Sequence, residues 1–248
     1  MSPLILYGVP FSQPVRAVIW LLLLKRHSFE LVLTNPGSKG ANGSRHPDFL
    51  RKNPMGTIPC IEEPVSGFTL GEAHAIMTYL ADLNEWHDVY PTDLQNRGRI
   101  NAYLHYHHRS LREASTGLVA PKVRKDLNIP EAMQAAAKRN LTGAIQVLEN
   151  DFLGEHAFLC GDSLTLADIA AYVEVGQLQA EFTNLFDFSA YPKLIEWLNR
   201  MKAVEGHNEV HAVLRELGDI SATAPTMDQI RSANVIALKV LKQALQML

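Results

Sequence analysis

Cysteine is scarce in this 248-residue chain: Cys60 and Cys160 are the only two. They make neither a disulfide framework nor a metal set, so a reducing, cytoplasmic setting is expected. Basic charge is not in excess either. Lys and Arg number 23 against 26 Asp and Glu, a net charge of −3, the wrong sign for neutralising nucleic-acid phosphates. Long apolar runs are missing. The block Val18 to Leu24 is too short to cross a bilayer and is flanked by Arg16 and Lys25. No basic leader with a cleavage site precedes the first apolar run, so secretion is not expected. The sequons Asn42-Gly43-Ser44 and Asn140-Leu141-Thr142 are then chance matches. Internal repeats and low-complexity tracts are absent. What remains is an ordinary globular balance, 47% hydrophobic and 20% charged, long enough for one large domain or two small ones.

The most informative stretch is Leu4 to Ala17, LILYGVPFSQPVRA. An apolar run, Leu4 to Tyr7, predicts a short buried strand. Gly8, Pro10 and Ser12 break it, and Val15 to Lys25 predicts a helix. Pro14 falls in the first turn, where its missing N–H costs little. A helix start offers unpaired N–H groups and a partial positive charge, which suits an anion. Two uses of Ser12 stay open: capping its own helix, or donating its hydroxyl to an anion held there.

Phe29 to Leu33 predicts a second strand, parallel to the first through a right-handed crossover. Thr34 to Ser44 is a Gly-, Asn- and Ser-rich loop, and His46 to Lys52 a short helix. In Asn53 to Ile61, Pro59 sits where a strand begins and removes a ladder donor. A cis peptide at a turn would explain it and would expose the backbone of Ile58 to an extended peptide; an ordinary edge-strand proline is the alternative. Gly67 to Leu70 is a short strand, and Glu72 to Leu83 a helix.

Asn84 to Thr92 reads as a break, because strand signals vanish beyond it. Helices are expected over Leu94–Leu118, Pro130–Phe152, Thr165–Phe182, Tyr191–Val204, Asn208–Leu217 and Met227–Met247. Thr165 with Asp168, and Thr226 with Gln229, have capping-box spacing, and Leu164 with Ile169 has that of a hydrophobic staple.

Five stretches in this order resemble the cytosolic glutathione transferases, closest to the theta-like, serine-type classes. They are Ser12 to Ala17, Asn53 to Pro59, Glu72 with its helix, Tyr90-Pro91, and Leu164 to Ile169. The resemblance covers almost the whole chain. It implies an α/β plus all-α protein: a thioredoxin-like, glutathione-binding domain over 1–84, a linker over 85–93, and an all-helical domain over 94–248 with a C-terminal helical extension. It implies a homodimer that joins glutathione, a cosubstrate, to hydrophobic electrophilic small molecules. Glutathione-dependent reduction of organic peroxides is a further activity that the resemblance implies. No cofactor, metal, nucleic acid or membrane is implied.

Residue by residue, Ser12 would donate to the glutathione sulfur. Tyr7, a competing hydroxyl, lies within the strand and is assigned to the core. Thr57, Ile58 and Pro59 would receive the cysteinyl backbone, and Glu72 with the next residue the γ-glutamyl end. That next residue is usually Ser or Thr and here is Ala73, so one hydroxyl donor is missing. Ser44 and Arg45 stand where the family often has a His and a basic residue. Arg45 is the candidate clamp for the glycyl carboxylate, with His46 left as an alternative. His108 and Arg112 are candidates for the electrophile side, in a cleft between the domains. His105 and His108 lack a third metal ligand, and His207 and His211 do not place Glu209 as a zinc protease would. A thiol–disulfide exchanger would need a cysteine at position 12. A second reading, a non-catalytic ligand-carrier or interaction module on the same fold, stays open because of Ala73 and Ser44.

Overall fold

The computed structural model describes residues 3–247. Four strands form one sheet: β1 (Leu4–Gly8), β2 (Phe29–Leu33), β3 (Cys60–Glu62) and β4 (Thr69–Gly71), in the order β2-β1-β3-β4. β1 runs parallel to β2 and antiparallel to β3, and β4 is antiparallel to β3. The β1–β2 crossover is α1 (Gln13–Leu24). α1 is buried on nearly every side, from Val15 to Leu23, which explains why its sequence is apolar all round rather than amphipathic. Gly8 permits the close approach of strand and helix: a β-carbon there would meet Val15 Cγ2 at 2.5 Å. α2 (Pro47–Lys52) and α3 (Ala73–Leu83) complete this thioredoxin-like body, with α3 packed on α1.

The remaining helices are α4 (Leu94–His107), α5 (Ala120–Val123), α6 (Glu131–Val147), α7 (Leu166–Val175), α8 (Pro192–Lys202), α9 (His207–Val210), α10 (Ala212–Leu217) and α11 (Met227–Leu245). The two capping boxes form. Asp168 is fully buried and accepts four hydrogen bonds: from Leu159 N–H (2.8 Å) and Trp197 Nε1 (3.0 Å) on one oxygen, and from Thr165 N–H and Oγ1 (both 2.9 Å) on the other. Gln229 Oε1 accepts from Thr226 N–H at 2.8 Å, and Gln229 N–H donates to Thr226 Oγ1 at 3.2 Å.

Three expected helices are shorter or broken. Leu94–Leu118 stops at His107, because Ser110 Oγ takes the Tyr106 carbonyl (2.7 Å) and Arg112 N–H reaches back to His107 (3.1 Å); helix resumes as a π-helical turn over Ser115–Val119. Thr165–Phe182 ends as an α-helix at Val175. Gln179 turns extended and its Nε2 binds the Gly176 carbonyl at 3.0 Å. Asn208–Leu217 is two helices, broken at His211.

Packing divides the chain into two compact units. Among the described residues, one holds 3–86 together with Glu205–Val213 and 234–247; the other holds His87–Val204 and Leu214–Ala233. The first unit is therefore discontinuous in sequence. Within it Trp20 is fully buried, donates Nε1–H to the Glu205 carbonyl (2.9 Å), and meets the His207 and His211 rings edge-on at 5.6 and 5.2 Å. Among the described residues no helix is long and apolar enough to cross a membrane.

Candidate active site

The strand register brings the predicted glutathione-side residues to one end of the sheet. Gly8 pairs with Leu33 and Tyr7 with Cys60, which in turn pairs with Gly71. The end of β1, the start of β3, the end of β4 and the loop after β2 thus lie side by side. These carry, in order, Ser12, Ile58-Pro59, Glu72-Ala73 and Ser44-Arg45.

Ser12 is half-buried at the N-cap of α1, with φ −71° and ψ 124°. Its N–H donates to the Val9 carbonyl (3.0 Å), and its own carbonyl accepts from Arg16 N–H (2.9 Å). Its hydroxyl makes no cap hydrogen bond. Of the two uses left open by the sequence, capping is therefore not the one seen. Two buried side chains that the sequence did not flag hold the preceding turn. Arg16, fully buried, donates Nη1–H to the Phe11 carbonyl (2.6 Å), and Asn234 Oδ1 accepts from Phe11 N–H (2.8 Å). Arg16 also sets a positive charge behind the helix start, adding to the field that favours an anion. Its place at i+4 from Ser12 was a readable signal; nothing local marks Asn234.

The Ile58–Pro59 peptide is cis. Asn53, buried at the end of α2, builds the approach to it: Nδ2 donates to the Thr57 carbonyl (2.8 Å) and Oδ1 accepts from Met55 N–H (3.2 Å). Thr57 is exposed, Ile58 half-buried and Pro59 buried. Ser44, fully buried, links two loops, donating to the Gly56 carbonyl (2.7 Å) and accepting from Gly37 N–H (2.9 Å). Arg45 is exposed and lies against Gly56, where an added β-carbon would meet its Cδ at 2.8 Å. His46 instead caps α2, Nδ1 accepting from Asp48 N–H (3.2 Å).

Glu72 is the N-cap of α3 with φ +69° and ψ 113°, left-handed for a non-glycine residue, and its side chain makes no cap hydrogen bond. Such backbone costs of order 1–3 kcal/mol and concentrates at binding sites. Ala73, buried, opens α3.

Tyr7 is half-buried rather than core. Its hydroxyl donates to Glu62 Oε2 (2.5 Å), which also accepts from Lys52 Nζ (2.5 Å). Burial, then the Glu62 carboxylate, push its pKa up, so it is a poor thiolate partner. Neither cysteine is poised to ionise: burial pushes the Cys60 thiol up to about 11 and the Cys160 thiol to about 12.

In the second unit, His105 and His108 are exposed, and His108 lies in the turn that follows α4. His107 is buried, its Nδ1 3.4 Å from the Tyr103 hydroxyl. Arg112 is ion-paired with Glu174, a buried carboxylate on α7, which also accepts from Ser115 Oγ (3.0 Å). Among the described residues no group of three or more His, Cys, Asp or Glu is placed to hold a metal ion.

The family model for the glutathione S-transferase N-terminal domain matches residues 6–86, and that for the C-terminal domain matches residues 101–205. The chain is 31% identical over 232 residues to mouse glutathione S-transferase theta-3, covering 90% of this chain and 92% of that one. It is 32% identical over 241 residues to human glutathione S-transferase theta-1, covering 94% and 98%. A solved structure of human glutathione transferase theta-2, in complex with glutathione and an unknown ligand, is similar with TM-score 0.73 at 27% identity, covering 95% of this chain and 98% of that one.

Proposed function

The chain belongs to the glutathione S-transferase family, and from that premise we propose how its residues divide the work. It is a transferase that conjugates reduced glutathione to electrophiles. A free thiol is mostly protonated at neutral pH, and the thiolate is the nucleophile. Ser12 donates its hydroxyl to the bound sulfur, and the N-terminus of α1 favours the same negative charge. Lowering the thiol pKa by about two units is worth roughly 2.7 kcal/mol. The thiolate then attacks the electrophilic atom; a C–S bond forms and the leaving group departs with its electron pair.

Residues 1–84 form the glutathione-binding part, 85–93 the linker and 94–248 the helical part. Thr57, Ile58 and Pro59 receive the cysteinyl backbone. Glu72 and the N–H of Ala73 hold the γ-glutamyl end, and Arg45 holds the glycyl carboxylate. With His46 engaged as a cap, Arg45 is the better placed cation for that role. His108 and Arg112 serve the electrophile side, Arg112 held in place by Glu174. The protein acts as a cytoplasmic homodimer on hydrophobic electrophiles, with glutathione as cosubstrate. Organic peroxides are a second substrate class, reduced to alcohol and water while two glutathiones become the disulfide.

One observation carries this reading: a serine hydroxyl not used as a cap, at the start of a buried helix, on the same sheet end as the cis-proline backbone. The test is turnover of glutathione with a chloro-nitroaromatic, an alkyl halide and cumene hydroperoxide. Conjugation of at least one of the first two is expected. Glutathione binding with no turnover of any would overturn it in favour of a ligand carrier.

A further inference from the structure

The turn that presents Ser12 is held from the opposite end of the chain. We propose that Asn234, on α11, is a positioning residue for catalysis: by fixing the Phe11 amide it sets the aim of the Ser12 hydroxyl at the glutathione sulfur. This rests on the role of Ser12 given above.

Phe11 immediately precedes Ser12, and both its peptide units are pinned. Its N–H donates to Asn234 Oδ1 at 2.8 Å, and its carbonyl accepts from Arg16 Nη1 at 2.6 Å. The next N–H, that of Ser12, closes onto the Val9 carbonyl at 3.0 Å. With these amides fixed, little freedom is left in the backbone that places the Ser12 Cα. Phe11 is 9% exposed and Asn234 8%, so water is a poor substitute partner for that N–H. Asn234 is the polar member of a buried face of α11 that continues through Ala237, Leu241 and Ala244. A buried amide in such a face is unfavourable unless hydrogen-bonded, and Phe11 N–H supplies a bond. Arg16 reaches the turn from the helix that the turn itself begins. Asn234 reaches it from 223 positions away and ties the C-terminal helix to the ionisation of the substrate.

The experiment uses the full chain with glutathione bound. Thiolate absorbance against pH gives the sulfur pKa; amide hydrogen exchange over residues 8–15 reports the turn; a thermal melt reports the fold. Asn234→Leu is expected to speed exchange at Phe11 and to raise the sulfur pKa by about one unit, roughly a tenfold loss of thiolate well below that pKa. Asn234→Asp keeps an acceptor and is expected to restore protection of the amide. Should Asn234→Leu fail to fold, Asn234→Ser, too short to span the gap, replaces it. Faster exchange with an unmoved pKa would make the bond structural only and overturn the proposal. In a Ser12→Ala background Asn234→Leu is expected to add no shift. A full further shift there would overturn action through the hydroxyl. An unmoved pKa in Ser12→Ala alone would instead remove the premise about Ser12.

Discussion

Ser12→Ala separates the ionisation of the bound sulfur from the stability of the fold. A serine that caps its helix stabilises it by about 0.5–2 kcal/mol, but this hydroxyl makes no cap bond. The melting temperature of the variant is therefore expected to stay within about 1 °C, against about 2–4 °C lost per kcal/mol for a chain of this size. The sulfur should respond differently. With a thiol pKa near 6.5 in the complex and about 8.5 without help, the ionised fraction at pH 7 falls from about three-quarters to about 3%. The more basic thiolate is also the better nucleophile, with a Brønsted slope of about 0.4–0.5, which returns about six- to tenfold. The net loss at pH 7 from ionisation alone is then only about two- to fourfold. A single rate at neutral pH is a weak witness, and the profile decides. The acid limb of kcat should move up by about two units, and the variant should overtake the parent above about pH 8. Steady-state kcat at saturating glutathione and a chloro-nitroaromatic, from about pH 5.5 to about 9.5, makes the measurement. An acid limb superimposable on the parent's would refute the reasoning; so would a melting temperature lowered as for a lost cap.

Asp168→Ala leaves the Leu159 and Thr165 N–H groups and Trp197 Nε1 without their shared acceptor; about 3–5 kcal/mol should be lost, and a melt should drop by about 6–20 °C. Ala73→Ser adds the absent hydroxyl at the buried start of α3 and should tighten glutathione by about ten- to hundredfold in calorimetry; no tightening means that end is held otherwise. Lys52, then Tyr7, hold the Glu62 carboxyl below its usual range, so its contribution is present above the unfolded pKa of about 4.3 and lost as pH falls through the folded value. The urea-stability gap between parent and Glu62→Gln should accordingly close on acidification; a gap constant down to about pH 3 contradicts the pairing. With thiols raised to about 11 and about 12 by burial, Cys60 and Cys160 should alkylate at least about tenfold slower than a free thiol at neutral pH, read by mass spectrometry.

The N-terminal half was largely legible because its punctuation is local. Gly8 and Pro10 end β1 near where the apolar run stops, and Phe29–Leu33 is observed with the expected bounds. Pro59 at the mouth of a strand pointed to the cis bond that is seen. The two capping boxes were visible as three-residue spacings. The helix after the linker ends earlier than its sequence predicts because its break at His108–Arg112 carries neither Gly nor Pro; a serine hydroxyl competing for a carbonyl ends it instead. Tyr7 lies outside the core because a strand residue can face a lysine and a glutamate that only folding brings near. Ser44 looked like a missing histidine, and its buried bridge between two loops is a tertiary property. Asn234 is the limiting case: its partner lies at the other end of the chain, and no pattern in either segment names the other.

The discontinuity of the first unit also bears on how the protein is made. Trp20 is covered by His207 and His211, within a segment that leaves the ribosome after the whole of His87–Val204. At ordinary translation speed that interval is on the order of ten seconds. Throughout it, the nascent sheet and its central helix carry an indole without its final cover. A holdase on the emerging polypeptide would find its target there, and release would await the synthesis of Glu205–Val213 rather than of the first 86 residues.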